Sequence, residues 1–140
     1  PIPSEGINGK MSELNAAWGI SLLKRVNQIY SKRKKIFNLY KYYLNKDINC
    51  PISQVNNNYT YFPIIFKTTY QLDKCIDQLN INNIFPRKYF HPSLNTIAIK
   101  KIKMPVSDEI SSKICCLPMH EYLTRKQIKD ISIIVNKNYY

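Results

Sequence analysis

The stretch on which the fold depends runs from residue 6 to residue 19: Gly6-Ile7-Asn8-Gly9-Lys10-Met11-Ser12-Glu13-Leu14-Asn15-Ala16-Ala17-Trp18-Gly19. Asn8-Gly9 is a turn dipeptide because both residues tolerate a positive φ angle, and the Ser12 hydroxyl can cap the N–H groups of a starting helix. A helix N-terminus favours negative charge, and Asn8 and Lys10 add an amide and an ammonium beside it. The stretch therefore predicts a phosphate-binding loop, with a plain loop leading into a buried helix as the alternative.

The composition and charge indicate a folded, strongly basic domain. A chain of 140 residues with 44% hydrophobic and 12% aromatic residues is typical of one modest core. The net charge of +12 would suit nucleic acid or an anionic membrane. The cations are spread along the chain without a nucleic-acid-binding motif, so we expect neither nucleic acid nor a membrane as partner. A small basic nucleic-acid-binding module, using the Lys-rich helix at residues 24–41, is the alternative function.

The sequence shows no targeting segment and no metal motif. No run reaches the apolar length of a membrane span, and no leader precedes Met11, the first methionine. Because the chain opens at Pro1, we expect a piece of a longer, soluble, cytoplasmic protein. The cysteines have neither C-x-x-C nor zinc spacing, so we expect reduced structural thiols and no metal site. These cysteines are Cys50, Cys75, Cys115 and Cys116.

A long amphipathic helix is predicted from Ser12 to about Leu44, because apolar residues recur there at spacings of three and four. Gly19 lies near its start and indicates either one kinked helix or two consecutive helices. With Ala16 and Ala17 it would permit another backbone to approach closely, as in an element between domains or subunits. A tight contact within one core explains these small residues nearly as well.

Strands and helices alternate after this helix. The β-rich run at residues 59–66 contains Pro63, which cannot donate to a ladder and so predicts an edge strand or a bulge. Two capping boxes, Thr68 with Gln71 and Thr124 with Gln127, predict helix starts. The other predicted elements are an extended segment at 84–90, a loop with possible strand at 93–104, a helix from Ser107 and an apolar strand at 115–119.

This order predicts an α+β domain in which a long N-terminal, interdomain helix precedes a small, mainly antiparallel sheet with helices on one face. We expect residues 1–25 to end a large-domain or dimer segment and to begin the interdomain helix. Residues 26–140 would then form a small domain.

Four segments resemble the motifs of one enzyme family, in family order and over nearly the whole chain. The first is residues 6–19, with the pattern G-x-N-x-K-M-S-E-x-x-A-A-x-G. The others are Tyr61-Phe62-Pro63-Ile64-Ile65-Phe66, Pro86-Arg87-Lys88-Tyr89-Phe90-His91-Pro92-Ser93-Leu94, and Cys116-Leu117-Pro118-Met119 with Leu123-Thr124. They are similar to segments of the DegT/DnrJ/EryC1/StrS family of pyridoxal-phosphate-dependent sugar aminotransferases.

The resemblance implies the C-terminal small domain of a fold-type-I, pyridoxal-phosphate-dependent transferase. Its activity would be amino transfer, usually from glutamate, to a keto sugar on a nucleotide, in amino-sugar or polysaccharide biosynthesis by a cytoplasmic homodimer. It also implies that the Schiff-base lysine lies upstream of the matched segments, so that this chain contains no catalytic residue and is inactive alone. A non-catalytic interaction subunit is the alternative.

The resemblance also implies site residues. Asn8 would reach the cofactor phosphate of the other subunit, with Lys10 nearby; the alternative for Asn8 is a structural turn residue. Arg87, Tyr89 and His91 would lie near the sugar nucleotide, where a guanidinium pairs with phosphate and rings meet the sugar. His91 stands where the family has a tyrosine, and an exposed strand end is the alternative for all three.

Overall fold

The computed structural model describes residues 9–51, 57–98 and 102–140. The elements in chain order are α1 (Glu13–Leu23), α2 (Val26–Tyr43), β1 (Phe62–Ile65), α3 (Thr69–Ile81), α4 (Leu94–Ile97), α5 (Pro105–Lys113), β2 (Ile114–Leu117) and α6 (Arg125–Asn138). The fold is α+β with a two-stranded antiparallel sheet, as the order of elements predicts. No helix in the described ranges is long and apolar enough to span a bilayer.

The core lies between one face of the sheet and the helices. Phe62 of β1 pairs with Leu117 of β2, and Ile64 pairs with Cys115. These four side chains are at most 3% exposed, because alternate residues of a strand share a face and this face is covered. The helical side chains of the same buried cluster come from α2, α3 and α6: Ile36, Phe37, Tyr40, Leu72, Cys75, Leu79, Ile128, Ile131 and Val135.

The predicted helix caps are present. The Ser12 hydroxyl accepts a hydrogen bond from the N–H of the third residue of α1, at 3.2 Å. Thr68 with Gln71 opens α3, and Thr124 with Gln127 opens α6, each as a complete capping box. Side chain and backbone exchange hydrogen bonds within four residues, so these starts depend on local chemistry alone.

The predicted long helix consists of two helices, and the break is not at Gly19. It lies at Lys24 and Arg25, where Arg25 adopts φ −110° and ψ 0° and makes no side-chain cap. The Arg25 N–H instead donates to the Leu22 carbonyl at 2.9 Å, which forms a tight turn. Gly19 remains helical, with open space where a Cβ would stand. No residue of α1 is buried, and the division of the chain at residue 25 stays a prediction.

Three further predictions differ in detail from the structure. The helix expected from Ser107 begins at Pro105, because proline is favoured in the first turn, and the Ser107 hydroxyl lies 2.7 Å from that of Ser93. The segment at 93–104 contains α4 and no strand in its described part, which leaves out residues 99–101. The strand expected at 59–66 is shorter, Phe62–Ile65, and pairs with β2 only on one side, as Pro63 predicts.

Candidate functional site

The face of the sheet opposite the helices is only partly covered. Pro63 lies opposite Cys116, and Cys116 exchanges two backbone hydrogen bonds with Arg87, with N···O distances of 3.1 and 2.7 Å. Arg87 therefore adds one isolated bridge to the edge of β2. Because directly paired residues project from the same face, Arg87 lies on the same face as Cys116 and Pro63. We call the surface formed by Tyr61, Pro63, Arg87 and Tyr89 the open face.

Aromatic rings cluster on the open face. The centroids of Tyr61 and Tyr89 are 5.4 Å apart with an interplanar angle of 76°, and Tyr89 is 5.1 Å from Phe90. Tyr61 is 49% exposed, Tyr89 38% and Phe90 65%. Sequence reasoning missed Tyr61 as a site residue. The sequence pattern that could have identified Tyr61 is the two-residue alternation of a strand, which places it on the same side as Pro63 of β1.

The predicted substrate residues are all exposed, in different settings. The Arg87 side chain makes no hydrogen bond or ion pair to any residue that the structure describes. Its neighbour Lys88 is engaged elsewhere, since its Nζ lies 2.7 Å from Oδ1 of Asp73 on α3. The His91 N–H donates to the Lys88 carbonyl at 3.1 Å. The structure thus brings Arg87 and Tyr89 to the open face, whereas His91 lies near the end of the loop at residues 88–92.

A polar network anchors the chain just after this loop. The Asn95 amide donates to the carbonyl of Ile102 at 2.9 Å and to the carboxylate of Asp108 at 2.8 Å. The Ser93 hydroxyl bonds the Asn95 side-chain oxygen and lies 2.7 Å from the Ser107 hydroxyl. Ser93 is buried, so the end of the loop is fixed to the start of α5.

Beside this network an open groove of about 430 Å³ lies between the loop and α5. Tyr89 and Phe90 line one side, and Met104 and Ile110 line the other. A larger groove of about 610 Å³ lies between the end of α3 and α6, and none of the predicted site residues lines it. The groove beside Tyr89 therefore extends the candidate site, whereas the larger one is separate from it.

Lys10 is exposed, two residues before the Ser12 cap, and Asn8 lies outside the described residues. An ammonium beside the first turn of a helix is a donor set that suits one side of a phosphate group. The charge of Lys10 and of this helix end is compatible with the phosphate of pyridoxal phosphate. Because Lys10 is open to solvent and Glu13 places a carboxylate in the first turn, a closed phosphate site needs further donors.

The described part of the chain offers no activated nucleophile. All four cysteines are free thiols, and burial raises the pKa of Cys50 and Cys116 to about 11 and that of Cys75 to about 12. They stay protonated near neutral pH and are weak nucleophiles. Every lysine in the described ranges is at least partly exposed, so none has the desolvated setting of a Schiff-base lysine. No three metal-ligating residues in these ranges could hold a metal ion.

The basic run of α2 is partly engaged within the chain. Lys32 forms an ion pair with Glu121 at 3.1 Å, and its ammonium lies over the Tyr122 ring. Arg33 donates to the Thr60 hydroxyl at 3.4 Å. These contacts use two of the cations that a nucleic acid would need.

The comparisons with known proteins agree on one family. The sequence profile of the DegT/DnrJ/EryC1/StrS aminotransferase family matches residues 4–136. A dTDP-4-amino-4,6-dideoxy-D-glucose transaminase from Escherichia coli is 33% identical over 94% of this chain, which spans only 39% of that enzyme.

Solved structures share the fold. The aminotransferase TlmJ from Streptoalloteichus hindustanus matches 99% of this chain and 39% of its own, with a TM-score of 0.81 and 16% identity. DesI, solved in the presence of its TDP-sugar product, matches 96% of this chain and 37% of its own, with a TM-score of 0.80 and 18% identity. The chain belongs to the DegT/DnrJ/EryC1/StrS aminotransferase family.

Proposed function

We propose that this chain is the C-terminal part of a pyridoxal-phosphate-dependent aminotransferase that moves an amino group between glutamate and a keto sugar on a nucleotide. The observation that carries the proposal is the 33% identity, over nearly the whole chain, to a dTDP-4-amino-4,6-dideoxy-D-glucose transaminase. The product would be an amino sugar for a polysaccharide or another glycan. A nucleic-acid-binding function is not favoured, because the family match extends through the basic run of α2.

On the cofactor side, Asn8 and Lys10 would hold the phosphate of pyridoxal phosphate, which lies at the active site of the partner subunit in a homodimer. Pyridoxal phosphate, when bound, supplies the electron sink for amino transfer. The role of this chain is to bind and orient: the Lys10 ammonium neutralises phosphate charge, and the first turn of α1 favours an anion. The exposure of Lys10 supports this proposal, because the ammonium is free to meet a second chain.

The Schiff-base lysine would lie outside this chain. The chain spans only 39% of the E. coli relative, and the described lysines lack a buried setting. Helix α1 supports the same proposal, because it has no buried residue and because Leu14, Trp18 and Leu23 are each more than two-thirds exposed. We propose that the large domain or the second subunit of a cytoplasmic dimer covers them, with the domain boundary near residue 25.

On the substrate side, Arg87, Tyr89 and His91 would bind the sugar nucleotide. The Arg87 guanidinium has no partner among the described residues and can form two parallel hydrogen bonds to a phosphate group. The Tyr89 ring offers an apolar surface to a sugar or base, and His91 at the end of the loop offers a ring nitrogen to a hydroxyl. All three side chains are exposed, as residues that meet a substrate must be.

The test uses the full-length protein from which we propose this chain comes. With pyridoxal phosphate, dTDP-4-amino-4,6-dideoxy-D-glucose and 2-oxoglutarate, we expect glutamate to form. Arg87→Gln should raise KM for the sugar nucleotide about tenfold or more, since a charge-assisted phosphate contact contributes roughly 1.5–3 kcal/mol. The kcat should change less, because the contact binds ground state and transition state alike.

The matched control is Lys74→Gln, which removes one positive charge from an exposed position on α3. It should leave KM unchanged. No glutamate formation with any nucleotide-linked amino sugar would contradict the proposed function. An equal rise of KM in both variants would contradict the assignment of Arg87, because it would indicate a general charge effect.

A further inference from the structure

We infer that Tyr61 and Tyr89 form a stacking site for the base of a nucleoside diphosphate, with the Arg87 guanidinium placed for its phosphates. This inference rests on the proposed function, because it assumes a nucleotide-linked substrate. It adds Tyr61, a residue that the family motifs leave unassigned, and it assigns the aromatic part of the open face to the base.

The relation of the two rings is the first argument. At 76° and 5.4 Å, Tyr61 and Tyr89 meet edge to face and form a corner. A third planar ring can stack on one of them while its edge meets the other, which are the two favourable arrangements of aromatic pairs. Both rings are more than one-third exposed, so the corner is open to a ligand.

A comparison with Tyr59 shows that this exposure is specific to position 61. Tyr59 has a positive φ of 53°, so the chain turns there. Its ring packs on the core residue Phe37 at a centroid distance of 5.2 Å. For Tyr61, two residues later, the one aromatic ring partner among the described residues is Tyr89. The fold packs Tyr59 partly into the core and leaves Tyr61 exposed on the open face.

The unpartnered polar groups are the second argument. Neither the Tyr61 nor the Tyr89 hydroxyl has a hydrogen-bond partner in the part of the chain that the structure describes, and the Arg87 side chain has none there either. A base carries carbonyl and N–H groups at its edge that phenol groups can meet. A diphosphate attracts the Arg87 guanidinium, while Lys88, the next residue, is already paired with the Asp73 carboxylate.

The test measures binding to the 140-residue chain by calorimetry or NMR titration. The probes are dTDP, inorganic pyrophosphate, glucose 1-phosphate and a ten-residue oligothymidylate. We expect dTDP to bind about tenfold more tightly than pyrophosphate, because stacking of one base on an aromatic side chain is worth roughly 1–3 kcal/mol. Tyr61→Ala should remove this difference, and Tyr61→Phe should keep most of it.

Tyr70→Ala is the control, since Tyr70 is a tyrosine on α3 that is 75% exposed, and circular dichroism checks that each variant is folded. Equal binding of dTDP and pyrophosphate, no binding of dTDP, or no effect of Tyr61→Ala would overturn the inference. It would also be overturned by Tyr61-dependent binding of glucose 1-phosphate, or by oligothymidylate binding far more tightly than dTDP. Tyr61-dependent dTDP binding without glutamate formation by the full-length protein would support this site and reject the proposed function.

Discussion

The phenol of Tyr40 donates a hydrogen bond to the main-chain carbonyl of Pro118, 3.0 Å away. Tyr40 is fully buried in α2, and Pro118 directly follows β2. The bond therefore joins a helix to the end of a strand across the core. Burial raises the pKa of Tyr40 far above its usual range, so the phenol remains a donor.

Tyr40→Phe should destabilise the fold by about 1–2 kcal/mol, because the Pro118 carbonyl loses its partner while the ring packing is kept. Urea unfolding followed by circular dichroism measures the change in the free energy of unfolding. The matched control is Tyr42→Phe, since Tyr42 is 74% exposed, and it should leave the midpoint unchanged. Equal effects of the two variants would contradict a structural role for the Tyr40 bond.

Asn95→Asp should loosen the anchor after the candidate-site loop. It places a second carboxylate 2.8 Å from Asp108 and removes the donor to the Ile102 carbonyl. We expect a loss of about 1–3 kcal/mol and faster amide exchange at residues 93–97. Asn95→Asp combined with Asp108→Asn should recover part of this loss, because one amide again faces one carboxylate. A double variant that is no better than the single one would argue against direct contact.

The buried thiols should make the fold less stable in alkali. Burial raises the pKa of Cys75 to about 12, above the ordinary value of 9.0. The unfolded chain therefore releases the thiol proton first, and the free energy of unfolding falls as the pH rises from about 9 towards 12. Urea midpoints between pH 7 and pH 10.5 measure this slope, which Cys75→Ala should reduce. An identical slope in the variant would rule out Cys75 as a cause.

Trp18→Ala should have little effect on stability, although tryptophan is the largest side chain. The residue is 69% exposed on a helix that buries nothing, so we expect a change within about 0.5 kcal/mol. Ile131→Ala, in the core face of α6, should cost about 2–5 kcal/mol. Unfolding must be followed by circular dichroism, because Trp18 is the sole tryptophan and its replacement removes the tryptophan fluorescence. A loss above about 1 kcal/mol for Trp18→Ala would show that α1 packs on its own chain.

Sequence patterns predicted those parts of the fold that depend on near neighbours. Both capping boxes are closed within four residues, and the alternation around Pro63 is local as well. The start of α5 was predicted at Ser107, whereas Pro105 opens the helix; the Ser107 hydroxyl instead contacts Ser93, fourteen residues away, and such a contact leaves no periodic signal. The helix break was assigned to Gly19 because glycine is a common breaker, whereas the turn forms at Arg25.

The candidate site divides in the same way. Arg87, Tyr89 and His91 were predicted from one continuous motif, and the structure brings two of them to the open face. Tyr61 was missed because its contact with Tyr89 joins segments twenty-eight residues apart. The cofactor roles of both Asn8 and Lys10 stay predictions, and Asn8 lies outside the described residues.

The backbone pairing of Arg87 with Cys116 affects how variants of this chain should be interpreted. Cys115 and Leu117, the two neighbours of Cys116, are both buried against the helices. A cavity made beneath β2 would therefore shift the guanidinium even though no substrate-facing group was altered. If the proposed nucleotide site is correct, loss of nucleotide affinity in such a variant would report a displaced strand, and core substitutions far from Arg87 would resemble binding-site mutations.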